Sequence, residues 1–183
     1  EATIYVYDNN SSDGTGEIAA RSGAVVKVEK RQGKGAVVRA MFREVEADLY
    51  LMVDGDDTYA ASDARALIDC VASGQADMAV GNRQAGGSYS HTKVRPFHSL
   101  GNSLVTRIIN LLFRCRLADI MSGYRVFSRL FVKNCPILIN GFEIETIMTL
   151  HALDKLFKIV EVPVSYKDRP AGSVSKLSTY TYG

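Results

Sequence analysis

An apolar run at residues 49–53 passes without interruption into Asp54, Asp56 and Asp57, with Gly55 between the first two acids. A continuous apolar run of this length predicts a strand buried on both faces, as in a parallel sheet. In open α/β sheets, ligands gather outside the carboxyl ends of the strands. Three carboxylates there repel one another unless a cation neutralises them, and hard oxygen ligands suit Mg²⁺ or Mn²⁺. A solvated acidic turn is the plainer alternative, because Asp and Gly are common turn formers.

The flanking segments support the sheet. Residues 2–7 are β-branched and aromatic, which predicts a strand ending at Asp8. The Asn/Ser-rich turn after it offers Ser11, Ser12 or Asp13 as the cap of a helix to about Arg21. Residues 24–28 predict a second strand, and Arg31-Gln-Gly-Lys-Gly35 leads into a helix over about 36–47. Two glycines around Lys34 suit close backbone approach to an anion at a helix N-terminus, although a plain turn explains them equally and the Walker A spacing is absent. Residues 63–73 read as a helix stopped by Gly74, and residues 77–81 as a short buried strand. Four strand–helix alternations predict an α/β, Rossmann-like parallel sheet.

Beyond residue 86 the pattern changes. A Gly/Ser/Tyr/His-rich loop runs to Arg95, and Pro96 opens a helix to about Phe113. Its wide apolar face is expected mostly to pack on the sheet, with a membrane interface anchored by Arg107, Arg114 and Arg116 as the alternative. Residues 122–127 read as a short extended piece. A helix follows from 141 to about 156, then an edge strand over 158–166 that tolerates Pro163, then a basic loop over 167–176.

Charge is unevenly spread: residues 1–90 carry nine Lys/Arg against fourteen Asp/Glu, whereas residues 91–135 carry eight against Asp119 alone. An acidic half holding the candidate cation site is thus followed by a basic segment suited to phosphates or an anionic surface. Cys70, Cys115 and Cys135 are odd in number and widely spaced, which argues against a disulfide framework or structural zinc. No apolar run of about 18 residues is present.

Taken together and in order, six stretches resemble family-2 glycosyltransferases of the GT-A fold. The branch they resemble transfers a sugar to a polyprenyl phosphate, as dolichyl-phosphate mannose synthases and bacterial undecaprenyl-phosphate glycosyltransferases do. They are Asp8-Asn-Asn-Ser-Ser-Asp-Gly-Thr15, Arg31-Gln-Gly-Lys-Gly35, Asp54-Gly-Asp-Asp-Thr-Tyr59, Ser122-Gly-Tyr-Arg-Val-Phe127, Gly141-Phe-Glu-Ile-Glu145 and Arg169-Pro-Ala-Gly-Ser-Val-Ser-Lys-Leu177. The resemblance implies one catalytic domain with a mostly parallel central sheet. Asp54 and Asp56 match the D-x-D motif that, with Mg²⁺ or Mn²⁺, holds the diphosphate of a UDP- or GDP-sugar. Asp8 matches the acid near the nucleotide base, with Lys34 on the donor side. Arg125, Arg169, Ser175 and Lys176 match positions near the phosphates of donor and acceptor, and Arg95 joins them.

An acceptor phosphate is already anionic and needs positioning more than a base. A saccharide hydroxyl needs one, and Glu143 or Glu145 is the candidate, although either also suits the dipole of a helix start. Implied partners are the nucleotide-sugar, the polyprenyl phosphate, a membrane surface met by residues 91–135 at its cytoplasmic face, and a second copy of the chain, but not nucleic acid. The implied setting is cell-envelope biogenesis.

The resemblance is incomplete at the start. The family opens with a strand ending in a Pro-x-Tyr-Asn-Glu-like motif, and none precedes Glu1, so the expectation is a fragment lacking its first strand. Three rivals stay open: transfer to a saccharide hydroxyl, a non-catalytic nucleotide-binding remnant, and a haloacid-dehalogenase-like phosphatase. In the last, Asp54-Gly-Asp-Asp-Thr58 would supply nucleophile and acid/base, but no later acidic pair completes it.

Overall fold

The computed structural model describes residues 2–86 and 96–168, with side chains from 101 onward in the second stretch. Arg95, Arg169, Ser175 and Lys176 therefore lie outside the described residues. The chain divides into two compact units, Glu1–Glu46 with Cys135–Ile144, and Ala47–Asn134 with Glu145–Gly183.

In the first unit, β1 (Tyr5–Asp8) and β2 (Val25–Val28) pair in parallel around α1 (Thr15–Arg21), and α2 (Lys34–Glu44) follows. The helix α1 starts from Gly14 in the left-handed region, with Asp13 Oδ1 accepting from the Thr15 amide at 3.1 Å. Thus Asp13 does tie the helix start, while Ser11 and Ser12 do not cap it. In α2, Ala36 and Ala40 are buried on one side and Val38 and Phe42 on the other. Arg39 fastens the 135–144 segment, donating to Ile137 O at 3.1 Å and to Asn140 Oδ1 at 2.5 Å.

The second unit is built on a four-stranded sheet in the order β3-β5-β4-β6: β3 (Leu49–Met52), β5 (Arg125–Ser128), β4 (Met78–Asn82) and β6 (Ile159–Pro163). Between them come a 3₁₀ turn (Ala61–Asp63), α3 (Ala64–Ala72), α4 (Pro96–Phe113), α5 (Arg129–Asn134) and α6 (Ile144–Asp154). The pairs β3–β5 and β4–β5 are antiparallel and β4–β6 is parallel. Three strands therefore share one direction, and the piece read only as extended supplies the reversed strand β5. As expected, β6 lies at an edge of the described sheet, where Pro163 leaves no ladder donor unmet. The helix α3 buries Leu67 and Val71 against Ala79, Val126, Tyr124 and Val164. A buried side chain such as Leu67 contributes about 1.5–3 kcal/mol relative to exposure.

Two expectations are corrected here. The run 49–53 is not buried on both faces: Leu51 is 41% and Val53 46% exposed. The reason is position, since β3 pairs with β5 alone and ends the described sheet. Likewise α4 does not bury most of its apolar residues. Ile109 is 4% exposed, but Leu111 is 79% exposed, and Leu104, Ile108 and Leu112 are also exposed.

Candidate functional site

Asp54 leaves the carboxyl end of β3, and both it and Asp56 are half-buried. Thr58, itself buried, donates from Oγ1 to Asp56 Oδ1 at 2.7 Å. Asp57 adopts φ 57°, a left-handed conformation that Asp tolerates better than most residues. Its carboxylate meets Lys167 Nζ at 2.8 Å; both side chains are exposed, so the pair adds little stability. Among the described residues no group of three His, Cys, Asp or Glu could hold a metal. This donor set suits a cation taken by one or two carboxylates and completed by phosphate oxygens, as Mg²⁺ commonly is. Asp54 and Asp56 fit that role.

The segment 118–125, much later in the same unit's sequence, comes to Asp54. A Cβ on Gly123 would lie 2.8 Å from Asp54 Cγ and 3.0 Å from Oδ1, and closer still to Oδ2. The carboxylate therefore rests on the bare Cα of Gly123. The Gly123 amide donates to Tyr59 Oη at 3.1 Å, and that hydroxyl also bonds Ser122 Oγ at 3.3 Å. Further along, Asp119 accepts from Arg83 Nε at 2.7 Å and Nη2 at 2.8 Å. Burial works against the charge on Arg83, but the Asp119 carboxylate outweighs it and holds the guanidinium above its usual range. Glu161 accepts the Ala118 amide at 2.9 Å and the Asp119 amide at 2.6 Å.

Arg125, expected near the phosphates, is buried. Its side chain is 0% exposed and spends its donors inside the protein. Nε donates to Ser122 O at 2.8 Å, Nη2 to Ile120 O at 2.5 Å, and Nη1 to Thr149 Oγ1 at 2.9 Å. Burial pushes its pKa down, against the pull of the Glu145 and Asp119 carboxylates. A guanidinium so enclosed braces the 120–122 backbone and does not reach a phosphate. Glu145 is corrected with it: only 6% exposed, it does not stand at a surface site, and its carboxylate favours the charge on Arg125. Glu143 is exposed and folds back over Gly141.

Asp8 and Lys34 belong to the first unit. Asp8, at the end of β1, accepts the Ser11 amide through Oδ1 at 3.0 Å. Lys34 is the first residue of α2. The glycines beside it serve packing: the Gly35 amide donates to Asn140 O at 3.0 Å, and a Cβ on Gly33 would fall 2.9 Å from Asn140 C. The close approach is made by the chain's own backbone. Sequence reading also missed Asn9, whose Nδ2 donates to Glu29 O at 2.7 Å and Arg31 O at 2.8 Å while Oδ1 accepts the Gly33 amide at 2.8 Å. An Asn in an Asn/Ser-rich turn signals a local turn, and its partners some twenty residues away give no local signal.

On α4, Leu104, Ile108, Leu111 and Leu112 fall at i, i+4, i+7 and i+8, which is one helical face. Arg107, Arg114 and Arg116 are exposed beside it, and residues 96–118 contain no acid. Arg114 ends the helix at φ 53°. Asn110 closes it, donating to Leu117 O at 2.8 Å and accepting the Leu117 amide at 2.9 Å.

The family model described as "Glycosyl transferase family 2" matches residues 1–135. Glycosyltransferase AglJ of Haloferax volcanii is 35% identical over 182 residues, covering 96% of this chain and 57% of AglJ. Polyprenol monophosphomannose synthase of Mycolicibacterium smegmatis is 28% identical over 189 residues, covering 96% of this chain and 70% of that protein. Among solved structures, glucosyl-3-phosphoglycerate synthase of Mycobacterium tuberculosis in complex with Mn²⁺, UDP and glucosyl-3-phosphoglycerate superposes with a TM-score of 0.70 at 21% identity, covering 92% of this chain and 62% of that one. The fold is thus that of these α/β transferases, and the chain spans a little over half the length of AglJ.

Proposed function

The chain belongs to glycosyl transferase family 2, and from that premise we propose that it transfers a sugar from a UDP- or GDP-sugar to a polyprenyl phosphate. The single observation that carries the reading is the pair Asp54 and Asp56 at the carboxyl end of β3, with Asp54 seated on Gly123. In the reaction an oxygen of the acceptor phosphate forms a bond to the sugar's anomeric carbon. The bond from that carbon to the diphosphate breaks, and the nucleoside diphosphate leaves with the electron pair. Asp54 and Asp56 would hold a divalent cation, whose chemistry when bound is to neutralise charge developing on the leaving diphosphate. Asp8 serves the nucleotide base and Lys34 the donor side, while Arg95, Arg169, Ser175 and Lys176 serve the phosphates. Arg125 acts on none of them directly.

The acceptor assignment draws on two supports. The relatives include a polyprenol monophosphomannose synthase matched along 96% of the chain. The outward apolar face of α4, flanked by Arg107, Arg114 and Arg116, suits an anionic lipid surface. No described helix is long and apolar enough to cross a membrane, so contact through α4 would be peripheral, at the cytoplasmic face. An anionic acceptor also fits a site whose Glu145 is buried. Family membership removes the phosphatase reading of Asp54-Gly-Asp-Asp-Thr58.

The test is transfer from UDP- and GDP-sugars, with Mn²⁺ or Mg²⁺, to undecaprenyl phosphate or to an oligosaccharide. Lipid-linked product is expected; product on the oligosaccharide alone contradicts the acceptor assignment. No turnover on either acceptor would favour a non-catalytic nucleotide-binding role. A second test concerns α4. The double substitution Leu111→Glu with Leu112→Glu should abolish co-sedimentation with phosphatidylglycerol vesicles while changing stability by only about 0.5 kcal/mol, since both side chains are exposed. Vesicle binding unchanged by the substitutions would show that α4 is not the contact.

A further inference from the structure

The geometry points to Gly123 as a positioning residue that sets the orientation of the Asp54 carboxylate, with Arg125 as the internal strut that holds Gly123 in place. This rests on the reading of Asp54 as a ligand of the cation and diphosphate, and it adds residues to which that reading assigns no part.

Three observations carry it. First, the Asp54 carboxylate lies against the Gly123 Cα so closely that a single methyl group there would overlap Cγ and both oxygens. Real Cβ atoms do not approach other atoms at such distances, so something must move on substitution. The freer partner is the end of the Asp54 side chain, which turns about χ1 and χ2, whereas the 120–124 backbone is tied at several points. Second, those ties are internal and mostly buried. Arg125 bonds the carbonyls of Ile120 and Ser122, Tyr59 Oη accepts the Gly123 amide, and the Gly81 amide donates to Tyr124 O at 2.8 Å. Third, the platform is locked to the acidic turn it supports. Tyr59 follows Asp54-Gly-Asp-Asp-Thr directly, packs on Tyr124 at 5.0 Å between ring centroids, and bonds Ser122. The Tyr124 hydroxyl donates to Ala60 O at 3.2 Å. Loop and turn are thus fixed to each other on both sides of the Asp54–Gly123 contact.

A carboxylate that would hold a cation beside a diphosphate gains from being held in one orientation before the ligand arrives. Gly123 leaves clear the space that this arrangement of the Asp54 carboxylate occupies, and the Cβ of any other residue type would enter it.

The experiment is a double-mutant cycle on the purified protein, with Gly123→Ala, Asp54→Ala and the pair together. Binding of UDP and of GDP is measured calorimetrically with Mn²⁺ and with EDTA, alongside thermal unfolding. Expected is at least a tenfold loss of the Mn²⁺-dependent part of binding in Gly123→Ala, with little change in Tm. The double variant should bind like Asp54→Ala alone, because the methyl group acts only through the carboxylate. Wild-type binding in Gly123→Ala beside impaired Asp54→Ala overturns this inference alone, as does a loss in the double variant that adds to that of Asp54→Ala. Wild-type binding in Asp54→Ala overturns the reading of the site itself. Should Gly123→Ala fail to fold, Tyr59→Phe removes the hydroxyl that accepts the Gly123 amide without adding an atom. A several-fold loss of the same Mn²⁺-dependent binding supports the inference, and unchanged binding overturns it.

Discussion

Replacing Arg125 by methionine is expected to lower the unfolding free energy by about 3–5 kcal/mol, the range for removing one partner from a buried charged network. Methionine matches much of the stem but donates nothing. The carbonyls of Ile120 and Ser122 and the hydroxyl of Thr149 lose their donor, and each buried unsatisfied group costs about 1–3 kcal/mol. Glu145, 6% exposed, loses a neighbouring positive charge. Arg125→Lys should recover only part of the loss, since one ammonium cannot reproduce the planar fork that serves four partners, Met78 Sδ among them. Denaturant melts of the three proteins check this directly. An Arg125→Met protein as stable as the parent would mean that the guanidinium is not the strut described above.

Asp56→Ala carries the second large effect. It removes a carboxylate whose Oδ1 is oriented by the buried Thr58 hydroxyl. The expected result is a loss of at least about 100-fold in Mn²⁺-dependent affinity for UDP or GDP, equivalent to about 2.7 kcal/mol at 1.36 kcal/mol per tenfold. The affinity in EDTA should stay unchanged. The substitution exposes no core surface, so the melting temperature should shift little. Titration calorimetry with each nucleotide, with and without Mn²⁺, separates these outcomes.

Much of this architecture was legible in the sequence because it rests on local pattern. Pro96 and the apolar spacing after it marked α4 from its first residue to Phe113. The buried strand β4 and the helix α3, ended by Gly74 at φ 75°, follow from apolar runs and a glycine stop. The position of Asp54 at a strand end also followed, since an apolar run turning into acids admits few other placements. What pattern could not supply was the identity of the neighbours. Apolar residues on β3 and α4 read as core, but Leu51 and Leu111 are exposed, because one element is an edge strand and the other turns a face outward. The family resemblance implies a place for Arg125 near the phosphates, but the side chain is buried. Its donors meet two nearby carbonyls and Thr149, which lies 24 residues further along the chain and gives no local signal. The contact of Gly123 with Asp54 was invisible for the same reason. Residues 122–127 read as a short extended piece, and only the paired strands β3 and β5 carry Gly123 to the acidic end of β3.

The central claim is that Asp54 and Asp56 form a site for a divalent cation shared with a nucleoside diphosphate. Electron paramagnetic resonance of Mn²⁺ tests it most directly, because bound Mn²⁺ loses the sharp signal of the free ion. With the wild-type protein, the signal should fall steeply below that of matched Mn²⁺ and nucleotide without protein when UDP or GDP is added, and only weakly without nucleotide. In Asp56→Ala the signal should match the protein-free control. A nucleotide-dependent fall that persists undiminished in Asp56→Ala, or no fall in the wild type with either nucleotide, would contradict the account.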